Sequence, residues 1–203
     1  MSSLKLKHSG GNSVIIAAPS SNPAADRTLT VPSNADGTIL TNSTPGCILQ
    51  VVQTYKTDTF SSAPGAYTWV DVTGLSASIT TTGSNKVKVT AIVNAAAPHD
   101  GYNVYMKVVR GSTDVGLGNA SGSATRCSAA GYWTSNNVTD YSTHGLMTQL
   151  LDSPGAGTHT YKIQIQTGYN STTIYTGVSE NSQTNQGMQT CPSGFITLEE
   201  VVA

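Results

Sequence analysis

The sequence predicts an all-β protein, built as an antiparallel sandwich or barrel that follows a β-rich amino-terminal segment. Charged residues make up only 10% of the 203 residues, so Ser, Thr, Asn and Gly must cover much of the surface, and these residues disfavour helix interiors. From Cys47 onward, short apolar runs alternate with period two between turn signals. No run follows a 3.6-residue period, and this argues against a helical bundle.

Residues 1–46 differ in pattern from the rest of the chain. Prolines and glycines separate short apolar pieces that cannot form a core alone, because isolated hairpins are marginal in water. We expect these pieces to be buried against a partner, with copies of the same chain as the obvious one. A disordered tail is the alternative. We therefore expect an anchor or shaft over 1–46 and a head domain over 47–203. The candidate anchor residues are Leu4, Leu6, Val14 and Ile16.

The head reads as a series of strands joined by turns. In the segment that begins at Lys86, Val87, Val89, Ala91 and Val93 share one face, as a strand with one core face requires. Two polar stretches, at 118–137 and 179–192, are expected to be surface loops. The predicted strands cover 48–57, 67–72, 75–80, 86–93, 102–110, 113–117, 144–151, 157–167, 173–178 and 194–202.

Charge and hydropathy exclude several partners. The formal net charge is -1, so there is no basic field to attract phosphate, and nucleic acid is not an expected partner. No apolar run approaches the ~20 residues that a bilayer crossing needs, and the first residues lack a signal peptide's apolar core. We expect synthesis in a cytoplasm, where Cys47, Cys127 and Cys191 stay reduced. The alternative is a Cys127–Cys191 disulfide that forms after lysis.

The search for catalytic motifs is negative. The sequence contains no G-x-S-x-G elbow, H-E-x-x-H pair, P-loop or dinucleotide-binding glycine motif. The four histidines are scattered, and no Cys/His spacing indicates zinc. A glycosidase would need two carboxyl groups about 5 to 10 Å apart, and carboxylates are scarce in the head. We expect no enzymatic activity, no cofactor and no metal.

Aromatic residues in the polar stretches and turns are the candidate recognition residues. Tyr and Trp beside Asn and Ser combine flat apolar faces with adaptable hydrogen bonding, which suits glycan or protein recognition. The alternative is that these rings fold back over the sheet as lids. The four candidates are Tyr132, Trp133, Tyr141 and Tyr169.

The amino-terminal segment resembles the start of fibre and virion proteins from marine tailed phages, particularly cyanophages. The resemblance is carried by LKLKHSGGNSV at residues 4–14 and PSSNPAADRTLTVP at residues 19–32. The rest resembles the head domains that follow such segments. That looser likeness rests on TDTF at 57–60, VDVTGL at 70–75 and ITLEEV at 196–201.

The resemblance implies a C1q/TNF-like jelly-roll head that forms a homotrimer, with the amino-terminal segment bound to other virion proteins. Apolar residues on the first and last strands suit such contacts, since oligomerisation also covers sheet edges. We expect a virion location and a role as tail fibre or host-adhesion appendage, with host-surface glycan or protein as a ligand. Capsid decoration without receptor binding is the alternative, followed by a capsule-degrading enzyme or a free lectin-like module. The candidate trimer contacts are Ile48, Val51, Val52, Val201 and Val202.

Overall fold

A computed structural model shows two compact units, Met1–Ile39 and Leu40–Ala203. The boundary between them lies a few residues before the one expected from the sequence, after residue 46. Bonds between Gly46 N and Val202 O (3.0 Å) and between Val202 N and Cys47 O (2.9 Å) join the start of the second unit to its carboxy terminus. The structure describes residues 3–17, 20–21, 44–96, 102–133, 143–169, 172–178 and 190–203.

The first unit contains an antiparallel hairpin of strands β1 (Ser3–Lys7) and β2 (Ser13–Ala17). Its turn is closed by bonds from His8 N to Asn12 O (2.7 Å) and from Gly11 N to His8 O (2.9 Å). Gly11 has a φ of 100°, which a residue without a Cβ adopts readily. The Gly-rich turn therefore fixes which residues of β1 and β2 face each other.

The described residues of the second unit, the head, form eleven strands and no helix. Every strand pairing among them is antiparallel. The strands are β3 (Ile48–Lys56), β4 (Phe60–Ser62), β5 (Val70–Thr81), β6 (Lys86–Ala96), β7 (Tyr102–Arg110), β8 (Thr113–Val115), β9 (Ala129–Trp133), β10 (His144–Asp152), β11 (Gly157–Thr167), β12 (Ile174–Thr176) and β13 (Gly194–Val201).

The head strands form two sheets. In the first sheet β6 pairs with β13 along one edge and with β10 along the other, β3 pairs with β13, and β12 and β4 extend the sheet. In the second sheet β11 lies between β5 and β7, and the short strands β8 and β9 pair with the far edge of β7. The pairs β3–β13, β5–β11, β6–β10 and β7–β8/β9 are nested along the chain. This nesting is a jelly-roll sandwich, as expected from the resemblance.

The core lies between the inner faces of the two sheets. Val87, Val89, Ala91 and Val93 of β6 are at most 1% exposed, and this confirms the face predicted from their alternation. The second sheet supplies the opposing layer, including fully buried Tyr161 of β11. Further core residues are Leu75, Ile79, Val104, Met106, Val108, Leu146, Ile163, Ile165, Ile174, Ile196 and Leu198.

Two predictions of secondary structure were wrong. Residues 67–72 and 75–80 were predicted as separate strands, but β5 runs from Val70 through Thr81 and absorbs extra residues in a bulge against β11. Gly74, with a φ of 85°, lies in that bulge. The stretch 118–137 was predicted as a loop, yet it contains β9, which lacks branched aliphatic residues and contributes Ala129 to the edge of the core.

Candidate functional surfaces

The hairpin presents an exposed apolar face. The register pairs Leu4 with Ile16 and Leu6 with Val14, and directly paired residues share a face. The four candidate anchor residues therefore lie together, and each is between 49% and 66% exposed. The opposite face carries Ile15 with two lysines. A two-stranded hairpin with such a face is marginal alone, so this surface suits burial against a partner.

The outer face of the first sheet carries an apolar row across four strands. The register aligns Tyr55 of β3, Phe195 of β13, Ile92 of β6 and Met147 of β10. The rings of Tyr55 and Phe195 lie 5.8 Å apart, centre to centre, at 54°, a favourable tilted arrangement. We call the outer face of β3, β13, β6 and β10 the assembly face.

Polar rows lie beside the apolar one. In the next row Gln53 Nε2 donates to Thr197 Oγ1 (2.7 Å), and Gln149 donates in the same way to Thr90 (3.2 Å). In the following row Lys88 and Glu199 form an ion pair of 2.7 Å at the centre of the sheet. The polar side chains of the central strands in these two rows therefore have partners within the sheet.

The exposed apolar residues of the assembly face lie at its two edges. Ile48, Val51 and Tyr55 on β3 are 52–61% exposed, and Met147 and Leu151 on β10 are 64% and 56% exposed. Sequence reasoning missed Tyr55, Met147 and Leu151, because their positions become a surface only once β3 and β10 are placed in one sheet. The alternation within each strand was the available signal.

The other candidate trimer contacts lie in three different environments. Val201 pairs with Ile48 on the outer face and is half-buried. Val202 follows the end of β13 and its amide donates to the carbonyl of Cys47. Val52 packs against the core, so its side chain is not part of the assembly face.

The outer face of the second sheet differs in chemistry from the assembly face. Ser78 and Thr160 hydroxyls lie 2.7 Å apart, and those of Thr80 and Thr158 lie 2.8 Å apart. Lys162 is paired with Asp71 at 2.8 Å. Over this half, the second sheet presents short hydroxyls and paired charges to solvent.

Aromatic side chains gather at the other end of the second sheet. Asn103 of β7 pairs with Tyr132 of β9, and Thr167 pairs with Val104, which brings Gly168 alongside Asn103. A Cβ at Gly168 would lie 3.5 Å from the ring of Tyr67. One row therefore runs from Tyr132 across Asn103 and Gly168 to Tyr67.

The next row of the second sheet continues this surface. Gln166 pairs with Tyr105, and Trp69 lies one residue before the point where Val70 pairs with Ile165. Lys107 Nζ lies 4.7 Å from the Trp69 ring centre and forms an ion pair of 2.7 Å with Asp114. We call this surface the aromatic patch; its members are Tyr67, Trp69, Asn103, Tyr105, Tyr132 and Gln166.

Two of the four predicted recognition residues lie at this end of the second sheet with exposed rings. Tyr132 is 53% exposed and belongs to the aromatic patch, and Tyr169 is 51% exposed just beyond Gly168. Trp133 lies in β9, paired with Tyr102, rather than in a loop as expected. Tyr141 lies outside the described residues. Tyr67 and Trp69 were not among the predicted recognition residues, since only the sheet register brings them beside Tyr132.

The carboxylates of the described residues are all engaged. Asp58, Asp71, Asp114, Asp152 and Glu199 each form an ion pair of 3.2 Å or less. The sixth, Glu200, accepts several hydrogen bonds at the end of the sandwich. Within the described ranges we find no cluster of three or more potential metal ligands, and no helix with the length and apolar character that a membrane crossing requires.

Lys56 is a buried cation on the inner side of β3. Its Nζ lies 2.9 Å from Asp58, and the adjoining cavity of about 10 Å³ is also lined by Thr176. Thr176 Oγ1 has no hydrogen-bond partner among the described residues. A cavity of this size has room for one water at most, so it is too small for a substrate.

The three cysteines are free thiols. Cys47 and Cys127 are partly buried, and Cys191 is exposed. Burial raises the pKa of the Cys127 thiol, which lowers its reactivity.

Comparison with known proteins gives a structural likeness but no match in sequence. No family model matches the chain, and none of the curated proteins matches it. Among solved structures, the chain is similar to a chain in the structure of infectious bursal disease virus, Gx strain, with 15% identity and a TM-score of 0.38. The match covers 95% of this chain and 46% of that one, so this protein spans less than half of the viral chain. At this distance the likeness carries no argument about function.

Proposed function

We propose that this chain is the subunit of a homotrimeric virion appendage, a short fibre or knob that serves in host adhesion. In this proposal the amino-terminal hairpin binds another virion protein and the head carries the assembly and recognition surfaces. The observation that carries it is the sorting of exposed apolar side chains. Of the thirteen large exposed ones among the described residues, five lie on the hairpin and five on the assembly face.

The exposed apolar residues at the two edges of the assembly face, which we call the apolar strips, favour a closed ring of heads. β3 and β10 lie at opposite edges of the assembly face, so the strips are different surfaces rather than one self-complementary patch. Different surfaces on two copies meet in a heterologous contact, which generates a ring where the rotation between copies closes and an open filament where it does not. Three copies form the smallest such ring, and the C1q/TNF-like resemblance favours the same number.

The hairpin supports attachment of the chain to a particle. Its face of four aliphatic residues has no cover within the described hairpin, and exposed apolar surfaces of this kind mark interaction sites. The assignment to a virion comes from the phage-like motifs at residues 4–14 and 19–32, the first of which overlaps the hairpin.

The described carboxylates support a non-enzymatic role. Retaining and inverting glycosidases need two carboxyl groups free to act on a substrate, whereas each described Asp and Glu is held by a cation or by several donors. Capsid decoration remains the second candidate, because the assembly face and the hairpin would serve it equally well.

The test combines sedimentation of the purified chain with electron microscopy of the particle. We expect a trimer at micromolar concentration and three copies in each appendage, with the hairpin against a neighbouring virion protein. A monomer, or particles without the chain, would contradict the proposal. Location on the tail would favour the adhesion role, and an even distribution over the capsid would favour decoration.

A further inference from the structure

We propose that the aromatic patch is a binding site for a neutral oligosaccharide. It lies on the second sheet, apart from the assembly face, and it assigns a ligand class to the adhesion role proposed above. Among the described residues of the head, the three large apolar side chains exposed outside the assembly face are all tyrosines, Tyr67, Tyr132 and Tyr169. All three lie at this end of the second sheet.

The spacing of the tyrosines suits a short sugar chain. Tyr132 and Tyr67 lie at opposite ends of one row, with β7 and β11 between them. Three strand spacings separate their backbones by about 14 Å, the length of a short oligosaccharide. The Tyr67 ring packs against Gly168, so the residue between the two rings is Asn103, and a ligand that contacts both rings would pass over its amide.

The chemistry of the patch combines apolar ring faces with amides. Tyrosine and tryptophan rings supply flat area at low entropic cost, and amide groups supply adaptable hydrogen bonds. Gln166 pairs with Tyr105 and is only 1% exposed, and its Oε1 has no hydrogen-bond partner among the described residues. A hydroxyl group that reached this acceptor would satisfy it.

The charges around the patch favour a neutral ligand. Lys107 is paired with Asp114 and lies over the Trp69 ring. Asp71 accepts from Lys162 (2.8 Å) and Gln164 (2.7 Å). Since these charges are compensated within the sheet, the patch offers no free cation for a sialylated or sulfated glycan.

The backbone conformation of Tyr67 is energetically unfavourable, so the surrounding structure must hold it in place. Tyr67 has a φ of 57° and is the one non-glycine residue with positive φ in the described part of the chain. Such conformations are disfavoured for bulky residues and recur at binding sites. A hydrogen bond from Tyr67 N to Thr167 O (2.8 Å) fixes the turn, which holds the ring across Gly168.

The test uses the full-length chain on an array of neutral, sialylated and sulfated oligosaccharides, followed by calorimetry with the strongest neutral hit. Trp69 is in the patch and Trp133 follows Tyr132, and they are the two tryptophans of the chain, so tryptophan fluorescence is a second readout. We expect neutral glycans to bind, Tyr67→Ala with Tyr132→Ala to weaken binding at least tenfold, and the two Tyr→Phe changes to retain it.

Tyr55→Ala is the matched control, because Tyr55 is equally exposed on the assembly face. We expect it to weaken association of the heads and leave glycan binding within about twofold. Absence of neutral glycan binding by a folded chain, binding of anionic glycans alone, or unchanged binding by the double alanine variant would each overturn the inference. Because binding and oligomeric state are measured separately, failure of this site leaves the proposed trimer standing, and the reverse also holds.

Discussion

Asn85 Nδ2 donates a hydrogen bond of 2.8 Å to Oε1 of Glu200, a carboxylate that is only 2% exposed. Thr82 donates to the same oxygen through its amide (2.8 Å) and its hydroxyl (3.2 Å). Gln50 Nε2 donates to Oε2 (2.7 Å) and to the carbonyl of Thr80 (2.5 Å). The carboxylate therefore joins β13 and β3 of one sheet to the turn that leads from β5 of the other.

The first prediction concerns the acid stability of the head. Burial raises the pKa of Glu200, but the hydrogen bonds from Asn85, Thr82 and Gln50 outweigh it and hold this pKa below its ordinary value. A carboxyl group with a lowered folded pKa stabilises the fold above its unfolded pKa, and this contribution is lost as the pH falls through the folded value. We therefore expect unfolding free energy to decrease below about pH 4.5.

Glu200→Gln tests this assignment. The change replaces one carboxylate oxygen with an NH2 group that faces hydrogen-bond donors. It should lower the free energy of unfolding by about 2 to 3 kcal/mol at neutral pH, the range for hydrogen bonds to a charged group. It should also flatten the acid limb of a stability profile measured by urea denaturation. The neighbouring Glu199→Gln, which breaks a partly exposed ion pair with Lys88, should cost under about 1 kcal/mol. Equal losses for the two variants would contradict the prediction.

The second prediction concerns Tyr161, whose hydroxyl donates to Asp152 Oδ2 at 2.7 Å within the sandwich. Burial, followed by this bond to a carboxylate, raises the pKa of Tyr161 far above its ordinary value. Ultraviolet titration should show that Tyr161 stays protonated until the head unfolds in alkali. Tyr161→Phe should cost about 1 to 2 kcal/mol, while Tyr55→Phe on the exposed face should change stability by less than about 0.5 kcal/mol.

The sequence predicted the parts of the fold that depend on local alternation. The valines of β6 show period two without interruption, so the core face of that strand could be read directly. The aliphatic residues of the hairpin were also predicted from the sequence, as candidate anchor residues in a segment that resembles phage fibre proteins. Their common face depends only on a short turn closed at Gly11.

The surfaces could not be predicted in the same way, because they depend on pairings between distant strands. Tyr55 meets Phe195, and Trp69 meets Lys107, only after the nested pairing has placed β3 beside β13 and β7 beside β11. Strand β9 was missed because small residues precede its aromatic pair, and its pairing with β7 defines it more than its own composition does.

The third prediction concerns Gly177, which follows β12 with a φ of 72°. A Cβ there would lie 2.9 Å from the backbone carbonyl oxygen of Asp58, which has no flexible end to move. Gly177→Ala should therefore add a steric cost to the roughly 1 to 2 kcal/mol of a positive φ. Gly83, with a φ of 58° and no atom within 4 Å of such a Cβ, is the control, and equal thermal shifts for the two alanine variants would refute the steric argument.

The last prediction concerns the assembly face. Ile48→Asp or Met147→Asp places a charge at one of the two exposed apolar edges of the assembly face, opposite an apolar residue in each case, where burial without a partner is costly. Each variant should weaken association of the heads about tenfold or more, equivalent to ~1.4 kcal/mol, in sedimentation equilibrium. Because both side chains are exposed in the single chain, thermal unfolding of the monomer should change little. Ser78→Asp on the polar face of the second sheet should leave association unchanged, and dissociation by this control would show that the heads meet through the other sheet.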